Sequence, residues 1–191
     1  KTVGSLVAWA RQSLAQAGID NGAQEAMWLL EHAIGLRSHQ LVSQTDHEVS
    51  PEARAAVESL VVRRVAREPL QYLLGTQEFC GREFAVSPAV LIPRPETELL
   101  LRHAVAYAQA VSDATIVDVG TGSGCVAITL AASLKGRRII AVDRSPEALA
   151  VAQRNARRYG VSDRIEWLEG DLLVPLSERM AARSVNVIVS N

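Results

Sequence analysis

The stretch Thr115-Ile116-Val117-Asp118-Val119-Gly120-Thr121-Gly122-Ser123-Gly124 decides the fold. A short run rich in β-branched residues enters a glycine-rich turn, and an apolar pattern of helical period succeeds it over 126–134. Strand, permissive turn and helix in that order make the setting in which a Gly-rich loop lets backbone approach a ligand closely. Outward from it, strand patterns at 115–119, 138–142, 165–168 and 185–190 alternate with helical ones at 126–134 and 146–159. Such alternation predicts an α/β unit with a parallel, doubly wound, Rossmann-like sheet.

Toward the amino terminus the period changes. Apolar residues recur at helical spacing as Leu6, Trp9, Ala10, Leu14, then Ala26, Leu29, Leu30, Ala33, then Val57, Leu60, Val61. Ser50-Pro51 offers an N-cap followed by proline at the first helical position, and Gly18, Gly35 and Gly75 stand where helices would stop. A small helical bundle is expected over 1–75. Between Gln77 and Val86 the period falls to two around Cys80-Gly81, which predicts a β-hairpin linker over 76–94, closed by Pro93-Arg94-Pro95. Pro95 then opens a helix through Leu99, Leu100, His103 and Ala104, beginning the sheet domain expected over 95–191. Trp9, Trp28 and Trp167 are expected in packing roles, and Arg94 and Glu96 are expected to lock the hairpin onto the sheet domain.

The glycine spacing bears on the ligand. A dinucleotide loop wants its third glycine at the sixth position, which here is Cys125; the third glycine comes one residue earlier, at Gly124. Asp118 precedes the first glycine by two residues and would repel a pyrophosphate, whereas it suits the ammonium or sulfonium end of S-adenosylmethionine. Asp143 closes the second strand about 20 residues on, where a carboxylate can accept both ribose hydroxyls. Ser145-Pro146-Glu147 caps the next helix. After the third strand, Glu169-Gly170-Asp171-Leu172 is placed to meet an adenine, Asp171 at the exocyclic amine and Leu172 through an apolar face or a backbone amide. The expected cofactor residues are therefore Asp118, Gly120, Thr121, Gly122, Ser123, Gly124, Asp143, Asp171 and Leu172.

Composition excludes other classes. The 191 residues are 48% hydrophobic, with 20 Lys+Arg against 21 Asp+Glu, so the chain can bury a core and carries no global field that would draw it onto nucleic acid. Its basic pairs, Arg63-Arg64, Arg137-Arg138 and Arg157-Arg158, are scattered among acids. Cys80 and Cys125 have no metal-ligand spacing and suit a reducing, cytoplasmic setting. The four histidines show no ligand spacing either, so no metal is expected. No apolar run approaches the roughly 18 residues of a membrane span.

Three segments carry a resemblance. They are Pro69-Leu70-Gln71-Tyr72-Leu73-Leu74-Gly75 followed by Glu78-Phe79 and Leu91-Ile92-Pro93-Arg94-Pro95-Glu96-Thr97-Glu98; the loop Gly120 to Gly124 with Asp143 and Asp171-Leu172; and Val189-Ser190-Asn191. Together they resemble the HemK/PrmC protein-glutamine N5-methyltransferases, which modify the Gly-Gly-Gln glutamine of class-1 peptide-chain release factors. The resemblance implies that the helical part helps hold a release factor and that Asn191 opens an Asn-Pro-Pro-Tyr motif, whose later residues are absent here. Asn191 would then be the catalytic and substrate-binding residue, its amide orienting a planar substrate amide; taken alone it is a polar residue at a strand end. Many relatives carry a larger aromatic where Leu172 stands. Two rival readings are an N6-adenine or N4-cytosine nucleic-acid methyltransferase, which uses the same asparagine chemistry, and an inactive binding module.

Four strands are also only part of such a sheet. At about 30 residues per βαβ unit the rest needs about 80 to 90 more. A longer parent polypeptide is expected, and a chain stopping at Asn191 is expected to be inactive and prone to aggregate through an apolar edge.

Overall fold

Capping chemistry sets the helices of the amino-terminal half in the computed structural model, which describes residues 1–177 and 184–191. Thr2 Oγ1 accepts from Ser5 N at 3.4 Å and starts α1 (Val3–Gln16); Ser50 Oγ accepts from Ala53 N at 3.2 Å, with Pro51 next, and starts α4 (Pro51–Val65). Between them α2 (Gly22–Ile34) ends on Gly35 in the left-handed conformation, φ 79°, and α3 (Ser38–Ser43) comes after it; α5 (Leu70–Leu74) completes the set. Leu6, Leu14, Leu29, Leu30 and Leu41 are wholly buried at the centre of this bundle. Each stabilises it by roughly 1.5–3 kcal/mol relative to an exposed side chain. A largely buried ion pair, Arg64 to Glu25 at 2.6 Å, joins α4 to α2.

Trp28 departs from expectation: it is 42% exposed. The buried stripe of α2 is set by Ala26, Leu29 and Leu30, and at 100° per residue Trp28 falls on the opposite side from Ala26 and Leu30. Trp9 is half-buried, with the Lys1 ammonium 5.5 Å from its ring centroid.

The chain divides into two compact units, Lys1–Leu74 and Gly75–Asn191. The hairpin, expected as a linker, is part of the second. Its strands β1 (Thr76–Phe79) and β2 (Arg82–Ala85) pair antiparallel across Cys80 and Gly81, both left-handed at φ 49° and 70°, as a two-residue hairpin turn of matching twist requires. Phe79 and Phe84 meet edge to face, ring centroids 6.2 Å apart, and both are buried in the core against the sheet. That burial makes the hairpin a structural member. Its latch to α6 (Pro95–Ala110) also differs from expectation. Arg94 and Glu96 lie exposed, and Glu98 Oε1 instead accepts from Cys80 N at 2.9 Å, because one helical turn in from the start the side chain faces the hairpin.

The sheet contains β3 (Thr115–Val119), β4 (Arg138–Asp143), β5 (Ile165–Glu169) and β6 (Val187–Ser190) in the order β5-β4-β3-β6, all parallel. Ile116 faces a core with Ile139, Ile128 and Leu130 on one side, while Val117, Ile140, Val142 and Leu168 form a second core on the other. Helices α7 (Cys125–Ser133) and α8 (Pro146–Arg158) carry the crossovers, and a short α9 (Val174–Ser177) comes after β5. The last strand is shorter than its apolar run because Asn186 turns to cap β3: its Oδ1 accepts from Thr115 N at 2.9 Å and its backbone N–H donates to Thr115 O at 3.0 Å. β6 is an edge among the described residues, and its Ile188 is 53% exposed. The order runs outward from β3 in both directions, so a crevice opens at the carboxyl ends of β3 and β6, the place where open α/β sheets take ligands.

Candidate functional site

The crevice is assembled from the ends of four strands. After β3, Gly120 N and Thr121 N both donate to Val142 O of β4, at 2.9 and 3.0 Å, which turns the loop across the sheet. Asp118, 3% exposed, clamps that loop: its Oδ2 accepts from Thr121 Oγ1 at 2.6 Å and from Ala127 N at 3.2 Å. Burial raises its pKa to about 6 against the pull of those two hydrogen bonds, and the Asp143 charge adds to the rise. Asp118 thus does more than face a ligand, because it ties β3 to the start of α7.

Asp143 is fixed from both sides. Gly122 N donates to Oδ2 at 2.9 Å and Ser145 N to Oδ1 at 3.0 Å, while Ser145 Oγ caps α8 by accepting from Ala148 N at 3.1 Å. Each carboxylate oxygen keeps lone-pair capacity for one more donor. The glycines differ in what demands them. Gly120 and Gly122 are left-handed, φ 73° and 55°, with open space where a Cβ would stand; at Gly124 a Cβ would lie 2.9 Å from Ala152 Cβ and Ile128 Cδ1. Conformation requires the first two and helix packing the third.

Two residues absent from the sequence-based expectations hold this framework. Asn155, 1% exposed on α8, donates through Nδ2 to Ala85 O at 3.0 Å and to Ser123 O at 2.8 Å, and accepts from Ala85 N at 2.9 Å. It staples hairpin backbone to glycine-loop backbone. Its signal was a lone amide in the stripe Ala148, Val151, Ala152, Ala156. The second is Thr97, 3% exposed, whose Oγ1 accepts from Asn191 Nδ2 at 2.9 Å. It lay inside the quoted Pro95-Glu96-Thr97-Glu98 run, but nothing local announces a partner 94 positions away.

Two adjoining clefts open here, of about 440 and 560 Å³, and Gly120 and Asn191 line both. The first also takes in Asp118, Gly122, Ser123, Thr97 and Pro93; the second Asp143, Arg144, Gly170, Asp171 and Leu172. The expected cofactor positions all line one cleft or the other, apart from Gly124 in its packing role. Asp171 and Leu172 are exposed, Leu172 at 64% with φ 47°. Ser123 Oγ is buried against the first cleft and has no hydrogen-bond partner among the described residues, an orphan that a polar ligand atom would satisfy. Burial pushes the Cys125 thiol up to about 12, which keeps it protonated and unsuited to nucleophilic attack. Among the described residues no cluster of His, Cys, Asp and Glu could hold a metal ion, and no helix is long and apolar enough to cross a membrane.

Known proteins resemble the chain in both of its units. Residues 5–75 match the PrmC N-terminal domain, and residues 113–190 match the RNA cap guanine-N2 methyltransferase family. The release factor glutamine methyltransferase of Geobacter sulfurreducens is 44% identical over 190 residues, 100% of this chain and 64% of that protein. The protein of the same name from Nitratidesulfovibrio vulgaris is 40% identical over 190 residues, 100% of this chain and 63% of that one. The chain is similar to release factor glutamine methyltransferases along its whole length. It spans 64% or less of the length of those two curated relatives. Among solved structures, an RNA methyltransferase from Salinibacter ruber in complex with S-adenosyl-L-homocysteine is 25% identical with a TM-score of 0.40, the match covering 53% of this chain and 60% of that one.

Proposed function

We propose that the polypeptide carrying this chain is an S-adenosylmethionine-dependent methyltransferase acting on the N5 amide nitrogen of the Gly-Gly-Gln glutamine of class-1 release factors. The observation that carries the reading is the placement of Asn191 at the seam of the two clefts, beside the glycine loop and held by Thr97. The relatives' shared name, release factor glutamine methyltransferase, supports the substrate.

The residues fit the cofactor. Asp143 would take the ribose hydroxyls, Asp118 and the orphaned Ser123 Oγ would meet the amino-acid end, and Asp171 with Leu172 would flank the adenine. When bound, S-adenosylmethionine supplies a methyl carbon whose bond to sulfur breaks as its bond to nitrogen forms, sulfur keeping the electron pair and nitrogen shedding a proton. The remaining chemistry belongs to Asn191. An amide nitrogen is a weak nucleophile because its lone pair is delocalised into the carbonyl. Asn191 Oδ1 accepts one N–H of the substrate amide, orients the nitrogen and stabilises the positive charge that develops there. No group need remove a proton before transfer.

Release factors act in the cytoplasm, which is where we place the protein. The scattered basic pairs offer no track for nucleic acid, so a base is the weaker substrate reading. The test uses the polypeptide extended to its relatives' length, S-adenosylmethionine and an unmodified release factor, followed by mass spectrometry of the Gly-Gly-Gln peptide. One added methyl group is expected, lost in Asn191→Ala. No gain despite measurable cofactor binding would overturn the substrate.

A further inference from the structure

A terminal amide has two faces of nearly equal shape, a carbonyl that accepts and an NH2 that donates. For Asn191 only the carbonyl is of use to a substrate N–H; presented the other way round, two donors would face each other. The orientation therefore matters as much as the position. In the structure Asn191 Nδ2 donates to Thr97 Oγ1 at 2.9 Å, and this leaves Oδ1 as the side-chain group available to the cleft.

Thr97 is itself well held. It is the third residue of α6, its N–H donates to Arg94 O at 3.1 Å, it is 3% exposed, and α6 is latched to the hairpin through Glu98. Asn191 stands directly after the last residue of β6 and lines the same cleft as Thr97. With Thr97 Oγ1 accepting from Nδ2, the amide is held with Oδ1 turned to the cleft.

We infer that Thr97 is a positioning residue that sets the rotation of the Asn191 amide, so that the site presents an acceptor and selects nitrogens that still carry an N–H. A fully substituted nitrogen, with no hydrogen left to donate, would lose that contact. This rests on the reading of Asn191 as the group that meets the substrate nitrogen. Thr97 is tied to Asn191 through its hydroxyl, and its role runs through that contact.

The test uses the extended polypeptide as wild type, Thr97→Val, Thr97→Ser, Asn191→Ala and Thr97→Val/Asn191→Ala. Valine keeps the shape and removes the hydroxyl, and serine restores it. Thr97→Val should lower kcat by about 10- to 100-fold, the scale of loss from misplacing a group by about 1 Å. Cofactor Kd and melting temperature should stay near wild type, Thr97→Ser should recover most of the rate, and the double variant should be no slower than Asn191→Ala. Equal loss in the valine and serine variants, a loss that tracks cofactor Kd, or full activity in Thr97→Val would overturn the inference.

A second readout needs no turnover. The side-chain NH2 resonances of Asn191, assigned by their disappearance in Asn191→Ala, should exchange slowly with solvent in wild type and Thr97→Ser and quickly in Thr97→Val. Unchanged exchange in Thr97→Val would overturn the role of Thr97. If wild type fails to methylate a release factor, the substrate reading falls, and this signature still decides the Thr97 contact.

Discussion

The two sides of the crevice are built differently. On the glycine-loop side three polar side chains are engaged with backbone or hydroxyl partners, Asp118 with Thr121 and Ala127 and Asn155 with Ala85 and Ser123, both buried, and the half-buried Asp143 with Gly122 and Ser145. On the other side the run from Gly170 to Val174 lies at the surface, with Leu172, Leu173 and Val174 exposed and a backbone hydrogen bond from Gly170 N to Asp143 O at its root. The first side is shaped before a ligand arrives. The second has apolar surface that a ligand would cover. Stability should respond to changes in the first and affinity to changes in the second.

The widest separation is expected from one substitution made at two glycines. Gly124→Ala puts a Cβ 2.9 Å from Ala152 Cβ and Ile128 Cδ1 between two packed helices, at φ 79°. Strain and overpacking together should cost about 2–4 kcal/mol, seen in denaturant melts. Gly170→Ala meets the Pro175 ring more closely still and stands at φ 154°, but in a half-buried loop outside the packed helices. A smaller loss of about 1–2 kcal/mol is expected there. Equal losses would erase the distinction between the two sides.

Next comes the staple. Asn155→Leu orphans Ala85 N, Ala85 O and Ser123 O at once. At about 1–3 kcal/mol for each buried group left unpaired, tempered by the partial exposure of Ala85, a loss of about 2–3 kcal/mol is expected. Cofactor affinity should fall with it, because Ser123 belongs to the loop. Retained stability with normal binding would show that the hairpin is not needed to shape the loop.

How much of this was readable depends on range. The glycine loop, Asp118 and Asp143 were legible because strand, turn and helix are consecutive in the chain and the chemistry sits within about 30 residues, one βαβ unit. The bundle was legible from its period. The contacts that escaped have a long-range logic: Thr97 to Asn191, Asn155 to Ala85, and the Glu98 latch where Arg94 and Glu96 were expected. An amide or carboxylate signals that it wants a partner, not which one. Trp28 escaped for another reason, since its size argues for burial while its angle on α2 places it outside.

A pH series sharpens the contrast between the two sides. Asp118 is lifted to about 6 from an ordinary value of 3.8 by burial, so the free folded protein holds that proton where the unfolded chain has released it. Its contribution to stability therefore falls as pH rises from about 4 to about 6 and is level beyond. A cationic ligand prefers the ionised form, so cofactor affinity should rise over the same window. Asp118→Asn keeps an oxygen to accept from Thr121 and Ala127 and removes the charge; its affinity should be flat with pH and weaker at neutral pH by about tenfold, one pKa unit of differential interaction. A wild-type affinity that is itself flat across this range would mean that no positive ligand group approaches Asp118.

The smallest effect tests the open side. Leu172 is 64% exposed at φ 47°, a conformation in which a leucine is strained by roughly 1–2 kcal/mol. An exposed, strained apolar residue at a cleft mouth is a poor use of stability unless something covers it. If the side chain is the contact, Leu172→Ala should weaken cofactor binding several-fold, the cost of losing about 1 kcal/mol of apolar burial, with the melting temperature unchanged. If the contact is the backbone N–H, Leu172→Ala should bind as wild type does. Leu172→Gly should then bind more weakly by a few-fold, since it relieves the left-handed strain but lets the segment move. The two variants measured side by side thus separate an apolar platform from a backbone donor, at a position where sequence offered both.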